Sequence, residues 1–386
     1  MRSASADKDE ASADRGKGTI LITISNTYGT AKVFANEIDS GAEGLLRALC
    51  GSSLSEGSRI RVMPDVHAGK GCAVGTTMTY AVKLAPGLVG VDIGCGVLAV
   101  KTDARRVELQ RFDRVVRERV PAGMRLRNAP HKLSAQAGLE RLRCAKSIYT
   151  ERDLLALGTL GGGNHFIELD RGEDGFLWLL VHSGSRALGA EVEAHYHRLA
   201  YEATPPDVPY ELAWLSGAAL DDYLHDMEVA QNFAALNRAV IAAEILRGAK
   251  MDETDRIDTV HNYVDTEKGI MRKGAVSAQE GERLIIPMNM RDGALLCVGR
   301  GNADWNCSAP HGAGRAKSRN ETRNSVTLSA YKKAMKGIYS TSIGRDTLDE
   351  APMAYKPAAQ IAEQIAPTAG IIERLTPVYN FKAGGD

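Results

Sequence analysis

Net charge is the first thing this sequence lacks: 48 Lys and Arg stand against 48 Asp and Glu. A chain-wide field for a polyanion is thereby excluded, so any contact with nucleic acid must come from a local basic face. Long apolar runs are also missing. None reaches the roughly 18–20 residues that a membrane-spanning helix needs, and the front patch Thr19–Ser25 is only strand length. The first 18 residues are polar and charged, without the apolar core of a secretory signal. Cysteines are few and unpaired in spacing. Cys50, Cys72, Cys95, Cys144, Cys297 and Cys307 contain no CxxC and read as reduced thiols of a cytoplasmic protein. No GxxxxGK[ST] loop occurs, which excludes a P-loop NTPase, and no GxGxxG follows a strand. Aromatics are scarce at 5%, whereas glycine is in excess, with 39 residues.

What is present is the mixture of a soluble globular chain, with 44% hydrophobic and 25% charged residues in 386. Residues 1–17 form a polar low-complexity leader, expected to be disordered. Strands are expected at Thr19–Ser25, at Arg59–Met63 ending at Pro64, at Ala73–Tyr80 and over Val89–Val100 with interruptions at Gly94 and Gly96. Helices are expected at Ile38–Cys50, Ala104–Arg119, Ser134–Lys146, Leu188–Ala203, Ser216–Arg247, Leu328–Lys336 and Ala358–Ile365. Glycine-rich strands recur at Gly158–Leu169 and Leu177–Ser185, and residues 256–310 are strand-rich. No repeat of fixed period and no clean linker appear. The expectation is α/β: one large intertwined mixed core over residues 18–386.

Residues 104–152 hold thirteen Lys and Arg but only five Asp and Glu. Such a segment is either a solvated helical face or a phosphate-backbone contact surface, in which Arg125 and Arg127 would meet RNA.

Five of nine histidines sit beside small or polar turn residues at expected strand ends: His67, His165, His182, His261 and His311. Strand-end loops are where α/β proteins carry chemistry. His195, His197 and His225 lie in polar helical stretches and read as surface residues. Asp92-Ile-Gly-Cys95-Gly96 places a hard oxygen and a soft sulfur in one tight turn. With borderline imidazoles from His165, His182 and His261 it suits two metal ions of mixed ligation. The alternative is a small buried Cys in a glycine turn. Gly161-Gly-Gly-Asn164-His165 lets backbone approach an anion closely. Ser183-Gly-Ser-Arg186 and His311-Gly-Ala-Gly-Arg315 each offer donors and a guanidinium for phosphate, or else are capped turns with a surface Arg.

Eight blocks together carry a family likeness. They are Met63-Pro-Asp-Val-His-Ala-Gly-Lys-Gly71, Val91–Gly96, Gly158–Glu168, Val181–Arg186, Asn237-Arg238, His261-Asn-Tyr263, Arg272–Ala275 and His311–Arg319. In this order they resemble the RtcB-type RNA ligases, which use GTP and Mn to join 2′,3′-cyclic-phosphate or 3′-phosphate RNA ends to 5′-hydroxyl ends. The resemblance implies that Asp92, Cys95, His165, His182 and His261 hold two Mn ions, with Cys95 bridging. His311 would attack the α-phosphate of GTP and carry GMP before it passes to the RNA 3′-phosphate. Asn164 and Glu168 would contact guanosine, with Tyr355 and Lys382 closing over the base. Asn262, Asn289, Gly312, Gly314 and Arg315 would line the nucleotide, and Arg186 would face RNA. The resemblance leaves room for a separate activating protein and implies no membrane. The chain departs from the family at Pro287-Met-Asn-Met290, where the pattern is Pro-Gly-Ser-Met, and four residues follow Lys382.

Two rivals stand beside a nucleotidyl-transferring RNA ligase. One is a metal-dependent phosphoesterase using the same Asp/Cys/His cluster, which has no need of His311 as a covalent carrier. The other is a binding module that has lost its chemistry, which the intact six-residue set opposes.

Overall fold

The computed structural model describes residues 13–14 and 21–383. Most of the expected leader, and the start of the strand expected at Thr19, lie outside the described residues. Ala13–Asp14 form a two-residue strand against Leu21 and Ile22.

Two seven-stranded sheets share the chain. The first takes β1 (Leu21–Asn26), β2 (Gly29–Val33), β3 (Ile60–His67) and β4 (Val74–Thr79). The second takes β5 (Gly96–Thr102), β6 (Phe166–Arg171), β7 (Leu177–Ser183) and β8 (Glu253–Val260). The chain then returns to the first sheet as β9 (Asn262–Asp265) and β10 (Ile270–Lys273). It closes in the second as β11 (Arg283–Asn289), β12 (Gly293–Gly299) and β13 (Ala369–Lys382). The first sheet runs β1-β2-β3-β4-β10-β9, with the 13–14 strand outside β1, and the second β8-β5-β7-β6-β13-β12-β11. All these pairs are antiparallel except β2 with β3. Because the chain leaves the first sheet and returns to it, neither sheet is a contiguous stretch of sequence.

The second sheet curls until its edges meet. The Ile285 N–H of β11 donates to Thr259 Oγ1 of β8 at 3.1 Å, and Arg283 pairs with Asp255 at 2.5 Å. Its strands alternate with period two. Val97, Ala99, Phe166, Trp178, Leu180, Ile257, Ile285, Ala294 and Leu296 fill the inside of the curl. Leu98, Val100, Ile167, Leu169, Leu179 and Val181 face outward against two helices. Those helices are α1 (Leu109–Arg119) and α2 (Gly217–Ala249), the latter 33 residues long. Because both faces are covered, the strands read as near-continuous apolar runs. Among the described residues, no helix is long and apolar enough to cross a membrane.

Several local expectations are corrected. The strand expected to stop at Pro64 runs on to His67, because pairing with β4 skips from Val62 to His67 and the missing proline N–H leaves no ladder gap. The strand expected from Val89 begins at Gly96, and Pro86–Val89 is a helical turn with proline at its start. The helix expected from Ala104 begins at Leu109, where the Glu108 carboxylate accepts from the Gln110 and Arg111 N–H groups. Ser134–Lys146 is not a helix. It is a series of short turns broken at left-handed Gly138, and the Asp226 carboxylate takes the N–H groups of Arg143 and Cys144 at 2.8 and 2.9 Å. His197 is buried rather than exposed, bonded to Glu193 at 2.8 Å and to the Tyr210 carbonyl at 2.7 Å.

Candidate metal and nucleotide site

The ends of β5, β6, β7 and β8 converge on one point. Cys95 is the residue before β5, in a turn closed by its N–H to the Asp92 carbonyl at 3.2 Å. His165 precedes β6, His182 lies near the end of β7, and His261 follows β8. The His261 N–H donates to the Cys95 carbonyl at 2.9 Å, which fixes one loop on the other.

Cys95 Sγ lies 3.4 Å from His165 Nε2 and 3.3 Å from His182 Nε2. Asp92 Oδ2 lies 3.0 Å from the same His165 nitrogen. The His182 and His261 rings stand edge to face, 5.2 Å between centroids. Two of the rings are oriented from behind. His165 Nδ1 reaches the Leu160 carbonyl at 2.9 Å, and His182 Nδ1 reaches the Asn164 carbonyl at 3.3 Å. At His182 the carbonyl accepts from Nδ1–H and leaves the Nε2 lone pair facing the Cys95 sulfur. Burial holds His182 and His261 well below the usual imidazole range, which keeps those lone pairs free. Burial and the neighbouring Asp92 push the Cys95 thiol well up. Burial alone would raise Asp92, but its hydrogen bond and charge contact with His165 outweigh that and bring it to about 2. The ligand atoms of Cys95, His165 and His182 lie within 4.8 Å of one another. Sulfur and nitrogen donors this close, with a carboxylate alongside, fit a borderline divalent metal.

Glycine serves this crowding. A Cβ on Gly184 would overlap the Asp92 carboxylate, and one on Gly161 would overlap the Arg186 guanidinium. Arg186 itself sits at φ 58. It donates to Thr159 Oγ1 at 3.1 Å and to the Gly123 carbonyl at 3.0 Å. Arg127 donates to the Leu157 and Gly158 carbonyls at 2.8 and 2.9 Å. Both therefore brace the loop that carries Asn164 and His165, while Arg125 is exposed. Arg238 is fully buried, with a bidentate pair to Asp258 at 2.7 and 2.8 Å. Its remaining nitrogen donates to the Gly94 and Ser183 carbonyls, behind Cys95 and His182.

His311 stands beside the cluster, its ring 4.9 Å from that of His261. Fully buried Asp65 accepts from the His311 backbone N–H at 3.1 Å and from Nδ1 at 2.6 Å, both through Oδ2. Asp65 thus fixes the orientation of the ring through its Nδ1. The Asp65 carbonyl also meets His67 Nδ1 at 2.8 Å, and burial lowers His67 to about 4. His67 lines the cavity but stands apart from the metal cluster.

A cavity of about 1000 Å³ opens from His182, His261 and His311. Its lining also includes Asn164, Glu168, Asn289, Gly312, Gly314, Arg315, Tyr355 and Lys382. Lys382 donates to the Asn164 carbonyl at 3.2 Å and to Glu350 at 2.8 Å. Glu350 also takes the Tyr355 hydroxyl and pairs with Arg315 at 3.3 Å and Arg319 at 2.7 Å. The Asn289 side chain is engaged in its own turn, accepting from the Arg291 and Asp292 N–H groups at 3.0 and 3.1 Å. Asn262 lies behind the site, bridging the Asp92 carbonyl at 3.2 Å and the Gly274 N–H at 2.9 Å. Asp65, Glu350 and Asn380 were given no role from sequence. Asp65 lay inside a quoted block, and its partner is 246 positions away.

A family model described as tRNA-splicing ligase RtcB matches residues 53–147 and 140–383. The RNA-splicing ligase RtcB of Escherichia coli K12 is 32% identical over 340 residues, covering 77% of this chain and 83% of that protein. RNA-splicing ligase RtcB2 of Escherichia coli ATCC 25922 is 30% identical, covering 86% and 90%. The tRNA-splicing ligase RtcB of Aeropyrum pernix is 27% identical, covering 82% and 86%.

Proposed function

Because this chain belongs to the RtcB family, we propose that it is a GTP- and Mn-dependent RNA ligase joining 3′-phosphate or 2′,3′-cyclic-phosphate ends to 5′-hydroxyl ends. The observation that carries this reading is His311: one nitrogen held by Asp65, the other free, beside a metal-ligand cluster and a nucleotide-sized cavity. A phosphoesterase that activates water on its metal cluster needs no such side-chain nucleophile.

His311 Nε2 attacks the α-phosphorus of GTP, the bond to the β-phosphate oxygen breaks, and pyrophosphate leaves. Asp65 keeps the proton on Nδ1 and faces the positive charge that grows on the ring. Water first opens a cyclic end by attack on its phosphorus, which breaks the bond to the 2′-oxygen and leaves a 3′-phosphate and a 2′-hydroxyl. That phosphate oxygen then attacks the bound GMP, and the phosphorus–nitrogen bond breaks. The 5′-hydroxyl attacks the activated 3′-phosphorus and expels GMP. Asp92, Cys95, His165, His182 and His261 would hold Mn, which offsets charge on the phosphates when bound. Glu168 and Asn164 face the base and nucleoside, while Tyr355 and Lys382 close the pocket. Arg125 and its exposed neighbours would meet the RNA backbone. All six cysteines are free thiols, which supports a reducing, cytoplasmic setting.

The test is incubation with α-labelled GTP and Mn, then denaturing electrophoresis. Acid-labile label should stay on the polypeptide and vanish in His311→Ala. Folded, Mn-loaded protein that takes no label would overturn the reading.

A further inference from the structure

Glu168 and Asp170 are two positions apart on β6, so their side chains share the inner face of the curl with Phe166. Both are almost fully buried, at 2% and 0% exposure. What surrounds them is apolar. Leu180 and Trp178 lie opposite on β7, and Ile257, Ile285, Ala294 and Leu296 fill the space across the curl. From β13, Asn380 donates to Glu168, and Lys382 places its charge nearby. Lys382 is itself paired with Glu350 at 2.8 Å. Among the described residues, neither oxygen of Asp170 receives a hydrogen bond from a donor group. Its polar neighbour is the Glu168 carboxyl.

Two bare carboxylates cannot touch in an apolar interior, so one proton lies between them. Burial raises both groups, Glu168 to about 7 and Asp170 well above the usual carboxylate range. Glu168 has the Asn380 donor and the Lys382 charge and Asp170 has neither, so Asp170 keeps the proton and Glu168 is the group that ionises.

We propose that Asp170 is a positioning residue of the nucleotide site, a neutral acid whose O–H donates to Glu168 and holds that carboxylate ionised toward the base. The inference rests on the reading that Glu168 faces the purine. An ionised carboxylate offers only acceptors and matches an edge with two adjacent N–H donors, as in guanine. A protonated one offers a donor and an acceptor, which suits adenine instead. Asp170 thus sets the pH above which the pocket prefers guanine. The departure at Met288-Asn289 gives Glu168 more of this task, since the Asn289 side chain is spent on its own turn.

The experiment is calorimetric titration of the Mn-loaded full chain with GTP and with ATP from pH 5.5 to 9. The ratio of the two affinities cancels titrations at the phosphates and the metal cluster. Wild type should favour GTP at high pH and lose that preference as pH falls through about 7. Asp170→Leu removes the donor, so the loss of preference should move upward by about one pH unit or more. Asp170→Asn restores a donor and should keep the wild-type profile. An unmoved profile in Asp170→Leu overturns the inference, as does a shift in Asp170→Asn as large as that in Asp170→Leu. If Asp170→Leu does not fold, Asp170→Ala carries the same comparison. Glu168→Gln separates the two levels. A GTP preference that survives in Glu168→Gln sinks the base-facing reading itself. If Glu168→Gln loses the preference at every pH while Asp170→Leu behaves as wild type, only the role of Asp170 falls.

Discussion

At the scale of single residues, Asp65 decides what His311 can do. Its Oδ2 takes both the backbone and ring N–H of His311, so the imidazole has one tautomer and one orientation. Asp65→Ala frees both, so that on the proposed mechanism Nε2 is no longer held in one orientation for attack. Attachment of GMP should slow by on the order of 100-fold, while Mn content stays at the wild-type level. Rapid-quench measurement of labelled protein checks this, and wild-type rates would show that the contact only supports the fold. Such a role was out of reach of the sequence. His311, Cys95 and Asp92 announced themselves through glycine turns and ligand chemistry, which are local. Asp65 acts across 246 positions, and Asp170 looks like an ordinary strand residue until its neighbours are known.

At the scale of elements, the strand ends hold the candidate metal ligands and small residues let them meet. Gly184 follows β7 where the Asp92 carboxylate passes over the chain. Gly184→Ala should push that carboxylate away from His165, cutting bound Mn while circular dichroism remains that of the wild type. Elemental analysis after dialysis reads the loss; full Mn occupancy would mean that the turn absorbs the methyl group without moving Asp92. The strands and long helices were legible because their apolar periods are carried by the residues themselves, as in Leu177–Ser183 and Gly217–Ala249. The 134–147 stretch was not, because the Asp226 carboxylate, some eighty positions away, takes the N–H groups a helix would have used. The same limit applies to basic segment 104–152. Its charge was countable, but Arg127 turns inward onto carbonyl oxygens, and only the folded chain shows which arginines are left for solvent.

At the scale of the whole molecule, Glu350 ties the lining of the cavity together. It joins Lys382 at the end of β13, Tyr355, and Arg315 and Arg319 just after His311. Burial opposes its ionisation, but the Lys382 and Arg319 charges and its hydrogen bonds outweigh burial and bring it to about 2. A carboxylate depressed in the folded state stabilises the fold above its unfolded value near 4.5, and that contribution fades as pH falls from there toward 2. The shift corresponds to about 3 kcal/mol at neutral pH. Glu350→Gln should therefore lower unfolding stability by roughly that amount at pH 7. The gap to wild type should narrow below about pH 4.5. Urea unfolding at several pH values measures both effects. A gap constant with pH would trace the loss to packing rather than charge. Because the same carboxylate holds Lys382 and Tyr355, Glu350→Gln should, on the proposed reading, also weaken GTP binding at pH 7, which titration with GTP measures.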